Sequence, residues 1–355
     1  MTEVFGSGAR VLLDYLQAQA REEETEELWE TLWADLAFAA WVTAYEMLPG
    51  FEENLRALLR EPTQVPNAEP TAFWEGFAAG FARARDPEVN AECRRALAAV
   101  ERVDFAAGER TALRYLPPET PLEVEIYLTV DGCNGGMFRG SRAFLSVLLV
   151  SPDEVSAMVK GFAHEFHHIG AAHWFAQNPL LQRARERDAG KLAVEILEYL
   201  VSEGLANAFC SPSVLRLHEG DSKEAGVHNR RVCELEARWP DEAIERIEHL
   251  LHGALADPGA EELSALEESF HQFSLDLSGA GLPEGHFAAG RMVQRMAGAL
   301  PLERIISLVQ EPWRFLACYN EAMESKEPRF SKRLLEQIER AFEGGIRKDA
   351  SSVGW

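Results

Sequence analysis

Residues 122–130 read LEVEIYLTV, with Leu122, Val124, Ile126, Leu128 and Val130 alternating against Glu123, Glu125, Tyr127 and Thr129. A period of two puts those apolar side chains on the dry face of a β-strand. Almost everything around this stretch is written in the other period. Residues 8–21 and 24–48 repeat apolar positions at helical spacing, as with Leu28, Leu32, Asp35, Leu36 and Ala39, with Trp29 and Trp33 beside them. The same spacing predicts helices at 71–85, 87–102, 189–209, 228–237, 240–256, 260–273, 285–299, 302–309 and 328–344. The fold class expected is therefore mainly α (α+β). A glycine-rich stretch (Gly132, Gly135, Gly136, Gly140) separates the alternating run from a second apolar strand at 143–150, so the sheet is expected to be small and antiparallel.

Ser151, Pro152, Asp153 and Glu154 supply an N-cap, a first-turn proline and first-turn acids for a helix expected to run to about residue 169. The prolines at 117 and 118 mark a change of texture. They suggest an N-terminal helical region over 1–117, a core over 118–214 and a C-terminal helical region over 215–355. The last of these can form one continuous domain with the core.

Acidic residues outnumber basic ones 58 to 35, for a formal net charge of −23. Such a surface repels nucleic acid and anionic membranes, which sets both aside as partners. The longest uncharged apolar stretch, 36–45, is too short to cross a bilayer, and the first residues lack a basic segment followed by an apolar run. The five cysteines (Cys93, Cys133, Cys210, Cys233, Cys318) are widely spaced and form no CxxC pair. They read as free thiols of a reducing compartment, so the expected location is the cytoplasm.

Residues 164–168 are His-Glu-Phe-His-His, an H-E-x-x-H pattern inside the helix predicted after the second strand. Positions four apart stack on one helix face, so His164 and His168 aim two imidazoles at one place. Neutral imidazoles suit zinc, and Glu165 beside the first is placed to take a proton from water. The apolar neighbours Phe162, Ala163, Phe166 and Ile169 argue that the motif is partly buried, where two histidines and a glutamate need partners.

A catalytic zinc site wants a third protein ligand. The extended pattern H-E-x-x-H-x-x-G-x-x-H fails, because Gly170 and His173 each fall one residue early and Trp174 holds the ligand position. The helix over 189–209 offers Glu195, Glu198 and Glu203. Glu203 has the driest helical surroundings (Ile196, Tyr199, Leu200, Ala206, Asn207), and a carboxylate on a dry face needs a cation. Gly204 beside it costs helix stability and so predicts a close helix approach.

With His164-Glu-Phe-His-His168 followed 34 positions on by Ser202-Glu-Gly-Leu-Ala-Asn207, the chain resembles the glutamate-zincin (gluzincin) metallopeptidases. More closely it resembles the uncharacterised families described as zinc-dependent peptidases. The resemblance implies a zincin-like core in which His164, His168 and Glu203 hold Zn2+ and Glu165 is the catalytic base. It also implies that an edge strand before the motif helix, 122–130 or 143–150, pairs with an extended peptide. The expected partner is thus a peptide or protein substrate, hydrolysed with zinc. Hydrolysis of a non-peptide amide or ester, and a non-catalytic zinc site, are the alternatives. An oxyanion donor is also needed, with His286, Tyr319, Arg291 and Tyr127 as candidates. His286, at the start of a predicted helix after Pro283 and Gly285, is the one carried forward.

Overall fold

The structure, a computed structural model, describes residues 2–45, 48–61, 65–68, 71–131, 136–151, 155–218, 223–275 and 282–343. Pro152, Asp153 and Glu154 of the expected helix start lie outside these. Backbone contacts divide the chain into two units, one of residues 1–107 with 122–162, the other of 108–121 with 163–355.

The first unit begins with strand β1 (Thr2–Phe5) and continues through helices α1 (Ser7–Ala20), α2 (Glu26–Ala34), α3 (Leu36–Ala44), α4 (Phe51–Arg60), α5 (Thr71–Ala84) and α6 (Pro87–Val100). The single helix expected over 24–48 is two. Asp35 leaves helical geometry at ψ 127°, and its carboxylate accepts the Phe38 N–H at 2.9 Å, capping α3. The interior is aromatic, with Trp41, Trp74, Phe77 and Phe81 fully buried and Trp41 stacked on Phe77 at 5.8 Å.

Helix α7 (Phe105–Leu113) precedes strands β2 (Val124–Thr129), β3 (Gly136–Arg139) and β4 (Arg142–Ser146). The sheet order is β1-β2-β4-β3. It is not the antiparallel sheet expected. Strand β2 runs parallel to β1 (Thr2 opposite Val124) and to β4 (Glu125 opposite Arg142), and only β3 pairs antiparallel, with β4. The chain leaves β2, forms β3 at the outer edge and turns through Gly140 at φ +60°. It then returns as β4 between the two, which aligns β4 with β2. Both strands expected at an edge are consequently interior, their backbone groups paired on either side, and neither offers an open ladder to a peptide. Tyr127, expected on the wet face, is buried because Phe5 and Phe144 of the flanking strands stack on it at 4.9 and 5.2 Å. Its hydroxyl donates to Glu125 within the same strand.

Helix α8 (Val155–Gln177) carries the motif and runs eight residues beyond the expected end at 169. The second unit then takes helices α9 (Pro179–Ala184), α10 (Asp188–Leu205), α11 (Lys223–Arg238), α12 (Asp241–Leu255), α13 (Ala260–Ser274), α14 (Glu284–Ala299), α15 (Leu302–Ile306), α16 (Phe315–Ala322) and α17 (Lys332–Phe342). Its core is largely aliphatic and centred on α10, which buries Leu192, Ile196, Leu197, Leu200 and Val201 against α12 and α14. A Cβ at Gly204 would lie 2.8 Å from Val293 Cγ2 and 3.1 Å from the Ala289 carbonyl, so α10 and α14 meet as closely as the glycine predicted. Among the described residues no helix is long and apolar enough to cross a membrane.

Candidate metal centre

Helix α8 presents His164 and His168 one turn apart, and their Nε2 atoms lie 2.8 Å from each other. Helix α10 brings Glu203 to the same point. Its Oε1 is 3.2 Å from His168 Nε2, and its Oε2 is 3.5 Å from His164 Nε2. Among the described residues these three form the group whose donor atoms all lie within 4.8 Å of one another. The three competing glutamates are separated by their surroundings. Glu195 is exposed, Glu198 is ion-paired to Arg185, and Glu203 faces the histidines.

The other ring nitrogens are also engaged. His168 Nδ1 lies 2.6 Å from the Ser202 hydroxyl, and His164 Nδ1 lies 2.9 Å from that of Ser211. A neutral imidazole whose Nδ1–H donates to a hydroxyl keeps its lone pair on Nε2, which is how metal-binding histidines are oriented. Two Nε2 lone pairs facing each other and a carboxylate, with little solvent access, call for a cation between them. Tetrahedral zinc with bonds of about 2.1 Å spaces its ligands about 3.4 Å apart. The observed separations of 2.8, 3.2 and 3.5 Å bracket that value, so the donor set fits.

The local fold explains why α10 can serve the site twice. After Leu205 the helix widens into a π-helical turn, Ala206–Cys210, an irregularity frequent at functional positions. From this turn the Asn207 amide donates to Glu203 Oε2 at 3.0 Å, and the chain leaving it carries Ser211 to His164. Glu203 is further met by His286 of α14, whose Nε2 is 3.2 Å from Oε2. The Tyr199 hydroxyl in turn lies 2.8 Å from His286 Nδ1.

The charges follow from this packing. Burial would raise the Glu203 carboxyl, but His168 and His286, with hydrogen bonds from His164 and His168, hold it well below the usual carboxylate range. Burial likewise works against charge on His168, yet Glu203 and Glu165 lift it to about 9. In the metal-free protein the proton on His168 does a cation's work. The next residue behaves oppositely. His167, fully buried, bonds the Tyr115 carbonyl through Nε2 at 3.2 Å, and burial, helped by the charge of His168, drops it to about 3.

His173, farther along α8, bonds Gln177. Arg291 is paired with Glu236, and Tyr319 is buried in the aliphatic core near Trp239 and Phe330. Of the oxyanion candidates in the second unit, His286 is the one that meets the histidine–glutamate cluster. Sequence reasoning assigned no role to Tyr199, Ser202, Asn207 or Ser211. The first and third stand four residues before and after Glu203, a spacing that places them beside it on a helix. Ser211 had no such signal, because the π-turn that delivers it has no sequence period.

Residues 83–327 match a family described as "Putative zinc dependent peptidase (DUF5700)". No curated protein and no solved structure matches the chain.

Proposed function

The chain belongs to that family, and from this premise we propose that it is a zinc-dependent peptidase of the glutamate-zincin kind, with His164, His168 and Glu203 as ligands and Glu165 as general base. The observation that carries the reading is the meeting of three donors from two helices within 4.8 Å, each histidine oriented from behind by a serine. Three protein donors, rather than four, are what a catalytic zinc site offers. When bound, zinc supplies a Lewis acid for the scissile carbonyl and an acidified water.

The protein residues do the rest. Ser202 and Ser211 hold the two imidazoles in register, and Asn207 and His286 fix the Glu203 carboxylate. Glu165, half-buried next to the first ligand, takes the proton of the attacking water and returns it to the leaving amine nitrogen.

Metal analysis and peptide hydrolysis of the wild type and Glu165→Gln test this. About one zinc per chain is expected in both, with hydrolysis of a mixed peptide library lost only in the variant. A wild type that binds no zinc would overturn the proposal. A zinc-loaded wild type that spares peptides but cleaves simple esters or amides would move it to the non-peptide class.

A further inference from the structure

Glu203 Oε2 is held by two groups from different directions, Asn207 Nδ2 at 3.0 Å and His286 Nε2 at 3.2 Å. Oε1 is the oxygen nearest His168 Nε2, at 3.2 Å. His286 is itself held. Its Nδ1 meets the Tyr199 hydroxyl at 2.8 Å, and that hydroxyl also lies 3.5 Å from the Ser274 carbonyl. Burial, with the charges of Glu203 and Glu284, pushes the Tyr199 phenol well above its ordinary range, so the hydroxyl keeps its hydrogen.

Two hydrogen patterns satisfy these contacts. In the first, Tyr199 donates to Nδ1 of a neutral imidazole. In the second, an imidazolium donates from Nδ1 to the phenol oxygen and Tyr199 donates to Ser274. Both leave a hydrogen on Nε2, aimed at Glu203 Oε2. The backbone is cut to fit this chain of contacts, since a Cβ at Gly285 would stand 2.5 Å from the Tyr199 hydroxyl oxygen. The glycine leaves room for the phenol beside the histidine it orients.

We propose that His286 is a positioning residue, which with Asn207 ties up Glu203 Oε2 and leaves Oε1 as the oxygen offered to the metal, and that Tyr199 sets the orientation of His286. This rests on the reading of His164, His168 and Glu203 as zinc ligands. It gives His286 a role different from that of an oxyanion donor. An oxyanion donor must turn Nε2–H toward substrate, whereas here that hydrogen is already committed to a ligand carboxylate.

The test is metal binding rather than turnover. Zinc affinity by chelator competition, and the visible spectrum of the cobalt(II)-loaded protein, are compared for wild type, His286→Ala, His286→Gln and Tyr199→Phe. Loss of an outer partner of a metal ligand typically weakens affinity by roughly 10–100-fold. His286→Ala is expected to fall in that range with a shifted cobalt spectrum. His286→Gln, whose amide N–H can reach Oε2, is expected to recover most of the affinity and the wild-type spectrum. Tyr199→Phe is expected to lose about tenfold, the lower end of outer-partner effects. Melting of the metal-free variants checks folding, and if His286→Ala fails to fold, the Gln and Phe variants decide.

Wild-type affinity and spectrum in His286→Ala and Tyr199→Phe would overturn the proposal, most plainly if hydrolysis fell at the same time, as for an oxyanion donor. A wild type that binds neither zinc nor cobalt would instead overturn the reading of the three ligands on which it rests.

Discussion

The two units solve the problem of packing helices in different ways. The first fills its interior with rings, Trp41, Trp74, Phe77 and Phe81, and among the described residues the indole N–H groups of Trp33 and Trp41 find no acceptor. The second packs Leu, Ile, Val and Ala around α10, with glycines where helices approach. Rings make bulky contacts suited to filling space, and a buried polar bridge of the first unit is neutral, the Asn90 amide of α6 donating to the Leu13 and Ala84 carbonyls. At Gly204 and Gly290 the absence of a Cβ lets α10, its π-turn and α14 come together. A glutamate on α10 can then be held by an imidazole from α14. The second unit can hold a charged cluster because the members of that cluster satisfy one another.

The sharpest break of this contrast is Glu203→Ala. On the proposed reading it removes a ligand outright, so zinc affinity is expected to fall by more than the roughly 10–100-fold typical of an outer partner. Metal content after dialysis measures it, and full retention would mean that another residue is the third ligand. The next largest effect belongs to the aromatic unit. Trp41→Ala is expected to cost about 3–5 kcal/mol in urea unfolding, as for other buried aromatic truncations. A cost near 1 kcal/mol would show that the ring core collapses around the gap.

Gly204→Ala probes the close approach itself. Its new methyl meets Val293 Cγ2, which can give way, and the Ala289 carbonyl, which is backbone and cannot easily do so. A loss of about 1–3 kcal/mol is expected, together with weaker zinc binding as α10 is pushed from α14. A stabilised variant with unchanged zinc affinity would remove the close approach from the explanation of the site.

Much of this was legible in the sequence, and the failures have physical causes. The H-E-x-x-H spacing put His164 and His168 on one face of α8, and the dry surroundings of Glu203 singled out the glutamate that meets them. Both rest on local period, which one helix is enough to express. Strand β1 was missed because four residues carry almost no period, and its partner Val124 lies more than a hundred residues away. The sheet direction was misjudged because β3 lay in the stretch read as a glycine-rich connection; β2 and β4 are neighbours, but the chain reverses once more through β3 between them, which makes them parallel. Helices α4 and α7 fell in stretches to which no element had been assigned. Asp35 was counted as a helical position when its side chain is a cap. The long-range contacts of Ser211 and His286 depend on a π-turn and on a helix crossing, and neither leaves a repeat in the sequence.

The prediction most diagnostic of the second unit's polar interior is the pH dependence of the metal-free protein. His168 is raised to about 9 from 6.5. Its contribution is therefore fully present below about pH 6.5 and lost as pH rises toward 9, because the folded state holds a proton that the unfolded chain has released. His167 is lowered to about 3. Its contribution is lost as pH falls from about 6.5 toward 3, because there the unfolded chain binds a proton that the buried ring refuses. Two adjacent histidines thus bend the stability curve in opposite directions around a maximum near pH 6.5. Urea unfolding with chelator present should lose its alkaline decline in His168→Gln and ease its acidic decline in His167→Gln. Zinc must displace the His168 proton, so its affinity should rise with pH until about 9 and its binding should release a proton to the buffer. An alkaline decline that survives in His168→Gln would place that proton on another group.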